Sequence, residues 1–231
     1  MTGISNVTCL HPPNIHLDNG LKKTENKIIL SSRNRILTAV AENQPPDVRL
    51  TETQQFNLLS DDLVETFTNV LIRAAGRIVL VNSVVEIQTY LSQRFQNCRR
   101  VTTIPDLREV AELLTTTSIL PGELADVECA VIYAKFAVAE NGAVWFTDEE
   151  ISDRVLPFIC QHLLVVVNAT DILPNMHAAY EIINNHDYGY GTFIAGPSKT
   201  ADIEQSLVLG AHGPKSMTIF LIDKIAHDGI Q

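Results

Sequence analysis

Thr192-Phe193-Ile194-Ala195-Gly196-Pro197-Ser198-Lys199-Thr200-Ala201-Asp202-Ile203-Glu204, running on to Leu209-Gly210-Ala211-His212-Gly213-Pro214, is the stretch whose reading decides the fold. Thr192 to Ala195 are β-branched, aromatic or small and predict a strand. Gly196-Pro197 must break it, and Ser198 or Thr200 is placed to cap a following helix. Asp202 and Glu204 then fall in the first turn of that helix, opposing the positive end of its dipole. Gly210 and Gly213-Pro214 close the helix before the apolar, β-prone run Met217 to Ile222. The expected order is strand, turn, helix, turn, strand. Backbone N–H groups converge unpaired in the loop between a strand's carboxyl end and a helix N-terminus, which is where open α/β sheets bind ligands.

The same rhythm extends upstream. Leu63, Val64, Phe67, Val70, Leu71 and Ala74 recur at helical spacing behind a cap at Ser60, with Gly76 placed to end the helix. Arg77 to Val81 reads as a buried strand, and Ser83-x-x-Glu86 is a capping-box pattern for a helix with Ile87, Leu91 and Phe95 on one face. Arg100 to Ile104 predicts a further strand, and Asp106-x-x-Glu109 a helix through Leu114. Such alternation requires crossover connections and a largely parallel sheet covered on both sides. Cys129 to Val138 is then a long β-prone run, and Asn141-Gly142 signals a hairpin returning through Ala143 to Phe146. Thr147-x-x-Glu150 predicts a short helix ending near Pro157, and His162 to Val167 a core strand. Asp171 and Pro174 introduce a helix containing Met176, Ala179, Tyr180 and Ile183. Near the start, Ser31-Ser32 precede a short amphipathic helix with Ile36, Leu37, Val40 and Ala41, which Pro45-Pro46 cannot continue. Residues 1–27 read as an extended or partly ordered lead and residues 28–231 as a single α/β domain.

Bulk properties narrow the function classes. At 231 residues, 45% of them hydrophobic, the chain is long enough to bury a large core. Seventeen basic against 27 acidic residues give a net charge of −10, which repels phosphate backbones and disfavours nucleic acid as a partner. Cys9, Cys98, Cys129 and Cys160 lack the close pairing that brings thiolates onto one metal, so no metal site and no cofactor is expected in this chain. The lead has no basic region followed by an apolar run, and no run approaches the length of a membrane span; a cytoplasmic location is the expectation.

Gly196-Pro197-Ser198-x-Thr200-Ala201-Asp202-Ile203-Glu204 with Leu207-Val208-Leu209-Gly210-x-His212-Gly213-Pro214 resembles the C-terminal signature of the LUD-domain family, in its lactate utilisation protein C (LutC/YkgG-like) branch. A weaker resemblance continues upstream through Ala139-Glu140-Asn141-Gly142, so the similarity covers roughly the C-terminal half. It implies a three-layer α/β/α fold with a mostly parallel sheet and an inserted antiparallel hairpin, similar to the NagB/RpiA/CoA-transferase-like group. It also implies a part in oxidising L-lactate to pyruvate beside partner proteins that carry iron–sulfur clusters.

Glu140, beside the Asn141-Gly142 turn, is the catalytic candidate, because a carboxylate at a strand end can be presented to a cleft by rigid backbone. The string Glu140-Asn141-Gly142 resembles the CoA-transferase motif whose Glu is the nucleophile; Ala139 and Trp145 depart from that motif. A solvated Glu beside a turn is the competing reading. Gly196, Pro197, Ser198, Lys199 and Thr200 form the candidate loop for a small carboxylate or phosphate, although capping alone accounts for the hydroxyls. On a helix Asp202 and Glu204 point about 200° apart, so at most one faces a ligand. Asn141, Gly142, His212 and Gly213 complete the candidate ligand-binding set, with His212 as a titratable or carbonyl-capping group. Gly189-x-Gly191 lacks a third glycine and a preceding strand, so it is no dinucleotide loop. A stand-alone CoA-transferase-like or sugar-phosphate-type enzyme using Glu140, or a non-catalytic LUD-domain subunit, is the alternative.

Overall fold

The computed structural model describes residues 31–46, 62–115, 121–184, 186–203 and 206–222; the lead, Cys9, Ser60 and Glu204 lie outside them. The chain divides into two units, Met1–Glu52 and Thr53–Gln231. In the first, helix α1 (Ser32–Glu42) forms where its spacing predicts, and the Ser31 hydroxyl accepts from Asn34 N at 3.3 Å. Its stripe of Ile36, Leu37 and Val40 is at least half exposed.

The second unit opens with α2 (Leu63–Arg73), where the Asp62 carboxylate accepts from Glu65 N at 2.9 Å. Ala75, not Gly76, takes the left-handed conformation after it, with φ 65°. Gly76 is required by space instead, since a Cβ there would lie 2.6 Å from Leu71 Cδ1. Strand β1 (Arg77–Val81), helix α3 (Val84–Arg94), β2 (Arg100–Thr102), β3 (Glu112–Leu113) and β4 (Cys129–Tyr133) follow. The β-prone run after Cys129 is then divided between β4 and β5 (Phe136–Val138), which turns through Glu140 into β6 (Ala143–Thr147). Helix α4 (Leu156–Ile159), β7 (His162–Asn168), β8 (Ile172–Leu173), α5 (Met176–Ile183), β9 (Gly191–Ile194), β10 (Lys199–Ile203), β11 (Ser206–Leu209) and β12 (Ser216–Ile222) complete the described order.

Six strands form the main sheet in the order β1-β12-β7-β4-β2-β3, every neighbouring pair parallel. Residues alternate between its two faces, so Leu163, Val165 and Val167 of β7 join one buried cluster while Leu164 and Val166 join another. Helix α3 covers the second face through Ile87 and Leu91. The first face is covered by α2 and α4, together with a smaller sheet of order β8-β5-β6-β9. The far side of that smaller sheet, with Phe136, Val138 and Trp145, packs on Ala179 and Ile183 of α5. The architecture is α/β, a mostly parallel sheet between helical layers, with the antiparallel β5–β6 hairpin inserted as the Asn141-Gly142 signal predicts.

Four expectations are corrected. Strand β1 is an edge strand, and its Leu80 is 71% exposed. The helix expected from Asp106 is a single 3-10 turn at Pro105–Leu107, after which Leu114 N donates to Thr102 O and extends the open sheet edge. Glu150 makes the cap-type bonds expected of it, accepting from Thr147 N and Oγ1 at 2.8 Å each, but on a turn; α4 begins only at Leu156, with Pro157 inside its first turn. Most consequential, the residues directly after Ser198 form a strand, Lys199–Ile203, where a helix is expected. Strands β10 and β11 pair antiparallel instead, Lys199 with Leu209 and Thr200 with Val208. Ser198 N donates to Pro214 O and Ser198 O accepts from Gly210 N, each at 2.9 Å, so its backbone closes the hairpin's base and is in no position to start a helix.

Because β7 is buried on both faces, truncating either of two adjacent residues should be costly. Leu163→Ala and Leu164→Ala are each expected to lose about 2–5 kcal/mol in urea unfolding. A strand covered on one face only would lose that much at just one of the two positions.

Candidate functional site

The motif residues gather at the end of the sheet where the parallel strands begin. Helix α2 leads through Ala74 and Gly76 into β1, and two distant turns press on its last turn. A Cβ on Gly142, whose φ is 69°, would lie 3.1 Å from Leu71 N, and one on Gly196, whose φ is 72°, would lie 2.4 Å from Ala74 O. Glycine is demanded at both by conformation and by backbone approach together. Glu140 is exposed, and its Oε2 accepts from Met176 N at 2.8 Å, where the carboxylate opposes the dipole of α5. Asn141 Oδ1 accepts from Ala143 N at 3.0 Å, a bond that holds the turn.

Pro197 is buried beside Gly196, and Gly213 packs on Ser198, its missing Cβ position 3.0 Å from Ser198 Cβ. His212 is exposed. Thr200 and Asp202 lie on β10, so neither occupies a helical first turn. The structure therefore brings Glu140, Asn141, Gly142, Gly196 and Pro197 to one helix end, and joins Ser198 to Gly213 beside the start of β12. Each described contact among them is one that the fold itself uses.

The opposite end, beyond the carboxyl ends of the strands, holds polar groups that sequence reasoning passed over. After β2 the chain crosses to the face covered by α3, where Leu107 is buried; after β4 it turns to the other face. Such a divergence between neighbouring strands opens the crevice in which α/β sheets place ligands. Tyr133 ends β4 and Asn168 ends β7 on the same face. Asn168 Nδ2 donates to Asp171 Oδ2 at 2.8 Å and also to the Tyr133 hydroxyl. A carboxylate can only accept, which identifies the amide atom facing Asp171 as nitrogen, so the Tyr133 oxygen must also accept. The tyrosine proton is left for another acceptor. Burial, then the Asp171 charge, push the Tyr133 pKa up and keep that proton in place.

On the other face of the same end, Asp148, Ile151, Ser152, Asp153 and Arg154 line a cavity of about 410 Å³. Ser152 Oγ donates to Leu114 O at 2.7 Å, which anchors this loop beside the end of β3. Arg154 lies 4.9 Å over the Tyr190 ring, with its Nη2 3.8 Å from Asp148 Oδ2. Lys135, just after β4, is occupied by Glu149 at 2.5 Å and Glu150 at 3.7 Å. Burial opposes the charge on Lys135, but the two carboxylates outweigh it and raise its pKa. The sequence signal for this region was the Gly189-x-Gly191 pair. A Cβ on Gly189 would lie 2.8 Å from Asp148 Oδ2, and one on Gly191 would run into the Trp145 ring at 2.3 Å.

Among the described residues, no group of three or more His, Cys, Asp or Glu side chains is arranged to hold a metal ion. Cys129 and Cys160 are fully buried, and burial drives both thiols upward, Cys160 to about 12. Cys98 is partly buried and shifted the same way, by burial and then by Glu128. Thiols held protonated are poor metal ligands. No helix among the described residues is long and apolar enough to cross a membrane.

Residues 118–222 match the family model of the LUD domain. Lactate utilization protein C of Bacillus pumilus is 31% identical over 100 residues, covering 41% of this chain and 42% of the relative. The protein of that name from Oceanobacillus iheyensis is 30% identical over 107 residues, covering 44% and 45%. The chain thus matches less than half the length of these two relatives. The Macrococcus caseolyticus protein of the same name is 25% identical over 176 residues, 74% of this chain and 75% of the relative. A crystal structure of a DUF162 family protein from Deinococcus radiodurans aligns with a TM-score of 0.53 over 71% of this chain and 99% of that one, at 16% identity, which shows a shared fold.

Gly196→Ala is expected to cost more than about 2 kcal/mol, since the left-handed conformation alone costs about 1–2 kcal/mol and the new Cβ collides with backbone. Chemical denaturation measures it. A cost below about 0.5 kcal/mol would show that the turn does not press on α2 as described.

Proposed function

Residues 118–222 match the LUD-domain model and the chain is similar to lactate utilisation protein C, and from these likenesses we propose that it is a LUD-domain protein serving in a lactate-utilisation system. The observation that carries the reading is the coincidence of the family match with the 30% and 31% identities to proteins of that name. In this reading the chain takes part in the oxidation of L-lactate to pyruvate in the cytoplasm, and iron–sulfur proteins are its partners. The electrons released by the oxidation pass to clusters in those partners, and this chain holds none. Its buried, protonated thiols support that division of labour. The mostly parallel sheet between helical layers is consistent with the NagB/RpiA/CoA-transferase-like group that the resemblance implies. A Glu140 nucleophile is the second reading; the bond from Met176 N to its carboxylate favours a capping role over that one.

Three outcomes are expected. Expressed in a bacterium that lacks its own lactate utilisation protein C, the chain should restore growth on L-lactate; a folded chain that fails where the host's own protein succeeds would count against the reading. The chain reconstituted anaerobically should bind no stoichiometric iron or sulfide, measured by absorbance and metal analysis. Incubation with acyl-CoA should leave Glu140 unmodified by mass, and a hydroxylamine-sensitive adduct lost in Glu140→Gln would favour the transferase reading.

A further inference from the structure

We propose that the cavity bounded by Asp148 and Arg154 binds a small 2-hydroxycarboxylate, with its carboxylate on the Arg154 guanidinium and its hydroxyl on the Asp148 carboxylate. The choice of 2-hydroxy acid rests on the lactate reading; the donor and acceptor rest on geometry alone. Arg154 is 60% exposed and is held by the face of Tyr190. Among the described residues no hydrogen bond engages its guanidinium, because Asp148 at 3.8 Å is beyond hydrogen-bond reach. A planar fork of donors is therefore presented to the cavity, and a carboxylate is the group that such a fork grips in two places.

The neighbouring acids decide what else the ligand must carry. Asp153 Oδ1 accepts from Val155 N at 2.9 Å, so part of its acceptor capacity is used. Asp148 lies beside Arg154 and offers an acceptor to any donor bound next to the guanidinium. A plain carboxylate would meet repulsion from Asp148 without compensation, whereas a hydroxyl one carbon away from the carboxylate converts that contact into a hydrogen bond. Gly189 keeps the space open, because a Cβ would lie 2.8 Å from Asp148 Oδ2 and 3.5 Å from Arg154 Nη2. The volume of about 410 Å³ is in the range of small-molecule sites. The cavity also stands at the carboxyl end of the parallel sheet, where ligands of open α/β sheets bind.

The test is calorimetric titration of the full chain with L-lactate, pyruvate and propanoate. L-lactate should bind saturably, and propanoate, which lacks the hydroxyl, more weakly. Arg154→Gln should weaken L-lactate by about tenfold or more, as loss of a charge-assisted pair does, with partial recovery in Arg154→Lys. Asp148→Asn should narrow the preference for L-lactate over propanoate, and Gly189→Ala should weaken all three acids. Unchanged L-lactate binding in Arg154→Gln, or no saturable binding to the parent chain, would overturn the site. The growth assay reports on the lactate system separately. Binding that depends on Arg154 in a chain that restores no growth would keep the site and remove the pathway reading.

Discussion

The strands at the centre of the main sheet are apolar on both faces, and the rest of the structure follows from the need to cover both. Leu163, Val165 and Val167 point one way, Leu164 and Val166 the other, and each is at most 3% exposed. Helix α3 suffices for one face with Ile87 and Leu91. Helices α2 and α4 leave part of the other bare, and the chain fills it by folding β5 and β6 back after β4, so that Ala137, Val144 and Phe146 enter the same cluster. A sheet used as a cover has a second apolar face of its own. Phe136 and Trp145 stack at 6.2 Å on that side, and Ala179 and Ile183 of α5 close over them.

This return fold separates the polar groups into two populations. Strands β5 and β9 run back toward the beginnings of the main strands, which carries the Glu140 and Gly196 turns to the end of α2. Strand β6 runs the other way, so Asp148 and Arg154 emerge with Lys135 and Tyr133 at the carboxyl ends. At the first end the polar atoms are spent on one another, as in the bonds of Glu140 to Met176 N and Asn141 to Ala143 N. At the second, Tyr133 and Arg154 retain donors that no described protein group accepts.

The elements legible in the sequence were those whose periodicity and burial agree. Strand β7, strand β12, helix α2 and the Asn141-Gly142 hairpin required only local pattern. The helix expected after Ser198 fails because the β-prone Leu207-Val208-Leu209 pairs with the residues following Ser198, a partner that local capping signals do not reveal. The helix expected from Asp106 failed because the open edge of β2 offered partners that a local reading cannot see. Arg154 and Asp148 carried no motif. They become a pair only when the loop after β6 meets the Tyr188-Gly189-Tyr190 segment some forty residues later in the chain, a tertiary contact with no local signature.

Conspicuous glycines therefore have two physical meanings in this chain. Gly142 and Gly196 approach helix backbone, at Leu71 N and Ala74 O, so a side chain at either would displace a main-chain atom that cannot yield. The atom nearest Gly189 is instead the carboxylate oxygen of Asp148, a side chain that can rotate. Packing alone does not demand glycine there with the same force, because a rotamer change at Asp148 could accommodate a methyl group. What glycine preserves at position 189 is the placement of Asp148 beside Arg154, and that placement matters only if the cavity must stay open with its donor and acceptor side by side.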